Sequence, residues 1–149
     1  MADIKIQNMV ASTVIAEELD LDKIDESLDD TKYNPDQFPG LVYHIKEPKI
    51  AFLLFKSGRV ICTGARNKED IETAVGKLYP KMKELGFKVI KPEVNIQNIV
   101  ASVDLHVHLN LLELSLALGL ENIEYEPEIF PGMVYRLKDP NVVFLFFGS

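Results

Sequence analysis

The segment Ile6-Gln7-Asn8-Met9-Val10-Ala11-Ser12 recurs as Ile96-Gln97-Asn98-Ile99-Val100-Ala101-Ser102, an offset of 90. A second block recurs at an offset of 92: Tyr33, Pro35, Phe38-Pro39-Gly40, Val42-Tyr43, Pro48, Phe52-Leu53 and Phe55 return as Tyr125, Pro127, Phe130-Pro131-Gly132, Val134-Tyr135, Pro140, Phe144-Leu145 and Phe147. Such self-similarity means that one supersecondary unit is used twice, so the fold must hold two copies of it. The change of offset is a two-residue insertion, because Leu28 and Tyr33 enclose four residues where Leu118 and Tyr125 enclose six. Insertions of this kind fall in loops. Residues 1–91 read as a complete first repeat and 92–149 as an incomplete second one. Phe147-Gly148-Ser149 answers Phe55-Lys56-Ser57, and nothing in the second copy answers Gly58 to Phe87.

Charge at first argues against a nucleic-acid partner, since the chain carries a net −7 and phosphate binding needs a basic surface. Its distribution weakens the objection. The first repeat has 14 Lys and Arg against 15 Asp and Glu, whereas residues 92–149 have 2 against 8. The stretch without a second-copy equivalent contains Arg59, Arg66, Lys68, Lys77, Lys81 and Lys83 against Glu69, Asp70, Glu72 and Glu84, so the acidic excess follows from what the second copy lacks.

With 47% hydrophobic residues, the 149-residue chain has the material for a real core. Its longest apolar stretches, Ile50 to Phe55 and Val142 to Phe147, are far shorter than the ~20 residues a membrane-spanning helix needs. The first twenty residues lack a signal-peptide pattern. A soluble intracellular protein is therefore expected. The single cysteine, Cys62, has no partner for an internal disulfide and reads as a small strand residue. No nucleophile–base set, Gly-rich phosphate loop or metal-ligand spacing is present, so no enzyme, cofactor or metal is expected. His106 and His108 lack neighbouring Cys or carboxylates at ligand spacing and are assigned no role.

Within one copy, residues 4–12 read as a strand from their period-two pattern of apolar and β-branched residues. Residues 16–28 read as a short acidic helix with Leu19, Leu21, Ile24 and Leu28 inward, echoed by Leu109, Leu111, Leu114 and Leu118. Strands follow at about 41–46, 50–56 and 59–64, joined tightly at Glu47-Pro48-Lys49 and Ser57-Gly58 as an antiparallel meander. A longer helix begins after the cap Asn67, carries a stripe of Ile71, Ala74, Val75, Leu78, Met82 and Leu85, and ends at Gly86. Pro80 inside it predicts a kink or a break.

The strand from Ile50 to Phe55 is apolar on both faces, yet two helices per copy can cover only one face of an antiparallel sheet. The other face needs a partner. Asn8 and Asn98, set among the apolar residues of the first strands, would be costly to bury without hydrogen bonds. A surface that calls for apolar contact with a few amide donors matches the A·T minor groove, whose base edges offer only acceptors.

Those duplicated motifs carry a resemblance. The Gln-Asn-Met/Ile-Val of both first strands, Tyr-x-Pro-x-x-Phe-Pro-Gly, and a second Phe 17 residues after the first are all present twice, and together they resemble the TATA-box-binding proteins of archaea and eukaryotes. The short N-terminus is similar to the archaeal type. The resemblance implies an α+β fold in which two direct repeats form a saddle-shaped, curved antiparallel sheet with helices on the convex face. It also implies a general transcription initiation factor that binds the TATA box in the minor groove, bends the DNA and recruits transcription factor B, and through it RNA polymerase. That places the protein in the cytoplasm at the archaeal nucleoid, or in a eukaryotic nucleus.

By the same resemblance, Phe38 with Phe55 and Phe130 with Phe147 are wedges that pry into base steps. Asn8 and Asn98 donate to base acceptors at the centre of the site, flanked by Val10 and Val100. Leu53, Leu145, Ile61 and Thr63 are floor contacts, and Ser57, Arg59, Arg66 and Arg136 are phosphate contacts. His44 stands where the second copy has Arg136, which implies a weaker and pH-dependent contact. Glu126, Glu128 and Ile129 match the loop that meets transcription factor B, and Asn34, Asp36 and Gln37 hold the equivalent places in the first copy. Two other readings compete: a non-catalytic interaction protein that keeps only partner binding, and an accessory DNA-binding domain of a nucleic-acid enzyme. The resemblance further implies that the strand following Ser149 would lie mid-sheet, between the first strand of the second copy and the strand before it. A molecule that stopped at Ser149 is expected to aggregate, dimerise or swap strands, and a fragment of a longer protein is the favoured expectation.

Overall fold

A computed structural model of the chain describes residues 3–119 and 121–148. It divides into two compact units, residues 3–103 and residues from Asp104 onward. Among the described residues the strands form two antiparallel sheets.

The first unit contains β1 (Ile4–Val14), α1 (Leu21–Ser27), β2 (Thr31–Lys32), β3 (Leu41–Lys46), β4 (Lys49–Leu54), β5 (Arg59–Ala65), α2 (Lys68–Glu84) and β6 (Asn95–Val103). Its sheet runs β2-β3-β4-β5-β1-β6. The compact units thus divide at a different place from the sequence repeat. The reason is pairing: β6, the first strand of the second copy, lies beside β1, the first strand of the first.

Alternation sorts the side chains of this sheet. On β4, Ile50, Phe52 and Leu54 are buried, while Ala51 and Leu53, and Phe55 just after the strand, are half-buried. On β5, Val60 and Cys62 go inward, and Ile61 and Thr63 stay half-exposed. The buried set joins Leu21 and Ile24 of α1 and Ile71, Ala74, Val75, Leu78 and Met82 of α2 in one core. Each fully buried aliphatic or aromatic side chain there contributes about 1.5–3 kcal/mol. Both helices belong to the core on one side of the sheet, and the opposite face stays open.

The described helices depart from the sequence expectation in two places. Residues 16–20 are not helical, because their backbone is bonded elsewhere: Ala16 bridges Val89 and the Leu19 N–H donates to the Lys56 carbonyl. The Asp20 side chain instead caps α1, accepting from the Lys23 N–H. The break considered at Pro80 does not occur, since α2 runs through it from an Asn67 cap. Pro80 and Gly76, whose carbonyl loses its partner, are both exposed, so water can take the missing bond while the buried stripe holds the helix. No helix of the described residues is long and apolar enough to cross a membrane.

The second unit contains α3 (Leu111–Leu118), β7 (Ile123–Glu124), β8 (Met133–Lys138) and β9 (Asn141–Phe146), with the three strands in that order. Asn110 caps α3 by accepting from the Glu113 N–H. Leu111 is buried, but Leu118, expected inward, is 38% exposed. Its counterpart Leu28 packs against a core that α2 helps to build, and no described element of the second unit repeats α2. His106 and His108 lie in the loop before α3, and no cluster of metal ligands occurs among the described residues.

Candidate nucleic-acid interface

Antiparallel pairing of β1 with β6 places Asn8 opposite Val100, Met9 opposite Ile99 and Val10 opposite Asn98. Residues directly opposite one another project from the same face, so two asparagines and two valines form one diagonal pattern. Asn8 is held in place. Its Oδ1 accepts from the Gly64 N–H at 2.7 Å and its Nδ2 donates to Thr63 Oγ1 at 3.1 Å. Because a backbone N–H can only donate, the Gly64 bond identifies the oxygen and leaves one amide hydrogen of Asn8 to be offered elsewhere. Asn98 has no such bracing. It sits on the edge strand, and no hydrogen bond among the described residues engages its side chain.

Cross-strand pairs extend this face. Val42 faces Leu53, Leu53 faces Ile61, and Ala51 faces both His44 and Thr63. The result is a shallow apolar floor of half-buried side chains with His44 exposed among them. Ser57, Arg59 and Arg66 are exposed at the ends of β5, with the Arg59 N–H donating to Ser57 Oγ.

Two phenylalanine pairs share one geometry. Phe38 and Phe55 meet edge to face with centroids 6.0 Å apart and planes at 68°. Phe130 and Phe147 do so at 5.9 Å and 67°. Phe38 is 42% exposed, Phe130 40% and Phe147 47%, an unusual state for a ring that could have been buried. Each pair is presented by the same turn, in which Gln37 and Phe38 donate to the Asn34 carbonyl and Ile129 and Phe130 donate to that of Glu126.

The remaining candidates lie in the second unit. Leu145 is exposed opposite Val134. The guanidinium of Arg136 is ion-paired to Glu124 at 2.8 Å. Glu126, Glu128 and Ile129 are exposed on the loop before β8, Ile129 at 80%.

The sequence model of the family described as transcription factor TFIID, or TATA-binding protein, matches residues 3–85 and 93–149. The chain belongs to the TATA-box-binding protein family. It is 58% identical to a TATA-box-binding protein of Archaeoglobus fulgidus over 147 residues, 98% of this chain and 80% of the relative. It is 55% identical to one from Methanothrix thermoacetophila over 148 residues, 98% of this chain and 81% of the relative. The solved structure of the Methanococcus jannaschii protein of the family matches with a TM-score of 0.86 at 49% identity, covering 99% of this chain and 83% of that one.

Sequence reasoning about this family member passed over the residues that position the others. Gly40 and Gly132 do not have positive φ, so their backbone does not demand glycine. Space does: a Cβ on Gly40 would lie 2.7 Å from Phe38 Cε2 and 3.0 Å from Phe55 Cε1, and one on Gly132 would lie 2.7 Å and 2.8 Å from the equivalent atoms. The duplicated Phe-Pro-Gly was the signal for this. Gly64 and Glu124 had no comparable signal, because a backbone bond and an ion pair between separated strands leave no local pattern.

Proposed function

We propose that this member of the family is a general transcription initiation factor that binds an A·T-rich promoter element through the minor groove, bends it, and recruits transcription factor B and through it RNA polymerase. The observation that carries the reading is the pair of half-exposed, edge-to-face phenylalanine clusters, each on a glycine that leaves it room. Phe38 with Phe55 and Phe130 with Phe147 enter base steps and partly unstack them. The ~80° bend is a property of the family.

The free amide hydrogens of Asn8 and Asn98 donate to the acceptors of A·T pairs, while a guanine amino group would meet them with a second donor. Val10, Val100, Leu53, Leu145, Ile61 and Thr63 contact the groove floor. Ser57, Arg59, Arg66 and Arg136 meet phosphates, which gives the affinity its salt dependence. Glu126, Glu128 and Ile129 form the surface for transcription factor B, where an exposed isoleucine following two carboxylates supplies both an anchor and a charge signature. No cofactor or catalytic step enters, and the protein acts at the chromosome in the cytoplasm of an archaeal cell.

A gel-shift with a TATA duplex and a G·C-rich control at moderate salt tests the reading. Preference for the TATA duplex is expected. Equal binding to both would overturn it, and strand cleavage or base release would favour the enzymatic alternative.

A further inference from the structure

The repeat allows each side chain to be compared with its own counterpart, and one comparison does not balance. At an offset of 92, Arg136 corresponds to His44 and Glu124 to Lys32. The backbone settings agree: Lys32 faces Val42 across β2 and β3, and Glu124 faces Val134 across β7 and β8. The chemistry is opposite. In the second repeat Arg136 Nη1 donates to Glu124 Oε1 at 2.8 Å, and both side chains are about half exposed. In the first repeat Lys32 and His44 are exposed and take part in no ion pair among the described residues.

We infer that Glu124 restrains Arg136, so that the second repeat grips the phosphate backbone more weakly than the presence of an arginine there suggests. This rests on the reading of Arg136 as a phosphate contact. A guanidinium already bonded to a carboxylate adds no net positive charge, and a phosphate can engage it only by displacing or sharing that carboxylate. Glu124 also lines, with Glu126, Ile129, Phe130, Gly132 and Val134, a small pocket of about 150 Å³ beside the wedge Phe130, so the negative charge sits next to a point of DNA entry. Solvent exposure keeps the restraint modest. Glu124 is therefore a positioning residue that sets an electrostatic inequality between the repeats: among the described residues, the first presents Lys32 with no carboxylate bonded to it, the second a neutralised pair.

The test is a thermodynamic cycle on the full chain, reading TATA-duplex affinity and its dependence on salt for the unaltered protein, Glu124→Gln, Arg136→Gln and the double variant. Glu124→Gln is expected to bind roughly two- to five-fold tighter at low salt. Its slope of log affinity against log salt is expected to steepen by about 0.9, one more phosphate neutralised. Both gains should vanish in the Arg136→Gln background. The same gain in both backgrounds would mean that Glu124 acts only as a general negative charge, and no gain in either would mean that it does not restrain Arg136. Each overturns the inference while TATA binding by the unaltered protein stands. Absence of TATA preference in the unaltered protein would instead remove the reading beneath it.

Discussion

Gln7 donates its side-chain amide to Ser102 Oγ at 2.8 Å, and the repeat-related Gln97 donates to Ser12 Oγ at the same distance. The first strand of each copy therefore reaches across to the other through the same pair of residue types. Their reciprocity is what a two-fold relation between paired strands produces. Ser12→Ala and Ser102→Ala should each destabilise the chain, by about 0.5–1.5 kcal/mol. The larger loss belongs to the buried Ser12, and denaturant midpoints would show it. A larger loss at the exposed Ser102 would mean that the reciprocal bonds do not carry the strand pairing.

Gly40→Ala should separate wedge geometry from folding. The added methyl forces the Phe38 ring to move, and an off-rotamer aromatic costs on the order of 1 kcal/mol. With its wedge displaced the protein should still unfold cooperatively but bind a TATA duplex about tenfold more weakly, equivalent to ~1.4 kcal/mol. Unchanged affinity would show that the ring pair tolerates displacement.

Thr63→Val keeps the shape of the residue and removes the acceptor that Asn8 Nδ2 uses. Discrimination between A·T and G·C at the central base pairs should fall, and fall further in Asn8→Ala, where the donor is gone; a mismatched base pair is typically worth about 1–3 kcal/mol. Competition binding with single central substitutions measures this. Asn8→Ala that discriminates as well as the unaltered chain would place the readout elsewhere.

Burial pushes the Cys62 thiol from 9.0 up to about 12. Well below pH 9.0 the thiol is overwhelmingly protonated in the folded and the unfolded chain alike, so its ionisation hardly alters stability there. Between 9.0 and about 12 the unfolded chain gives up a proton that the folded chain keeps, so stability falls as pH rises through that window. Alkylation at pH 8 should be negligible in the native protein and fast in denaturant, as followed by intact mass. Rapid native labelling would contradict the buried placement on β5.

Elements whose causes are local were legible from the sequence. The Asn67 cap and the stripe from Ile71 to Met82 marked α2, and alternation along Ile50 to Phe55 separated the core face from the open one. What the sequence hid depends on partners distant along the chain. Residues 16–20 read as the start of a helix, but Glu17 and Leu19 donate to the Lys88 and Lys56 carbonyls in place of their own turn. Met9 and Ile99 are repeat equivalents, yet Met9 is 6% exposed and Ile99 51%, because burial depends on the neighbours each strand receives. Within the candidate site, the Phe pairs and central Asn residues were legible through their duplication. The Gly64 bond and the Glu124 restraint were not, since nothing duplicates them.

The central claim is that both phenylalanine pairs enter DNA as wedges, and the measurement nearest to it is the end-to-end distance of a dye-labelled TATA duplex by energy transfer. The account predicts that the unaltered chain shortens that distance on an A·T-rich duplex. Phe38→Ala with Phe55→Ala, or Phe130→Ala with Phe147→Ala, should each abolish much of the change while the protein stays folded. A full bend by both double variants, or no bend by the unaltered chain under conditions where it binds, would contradict it.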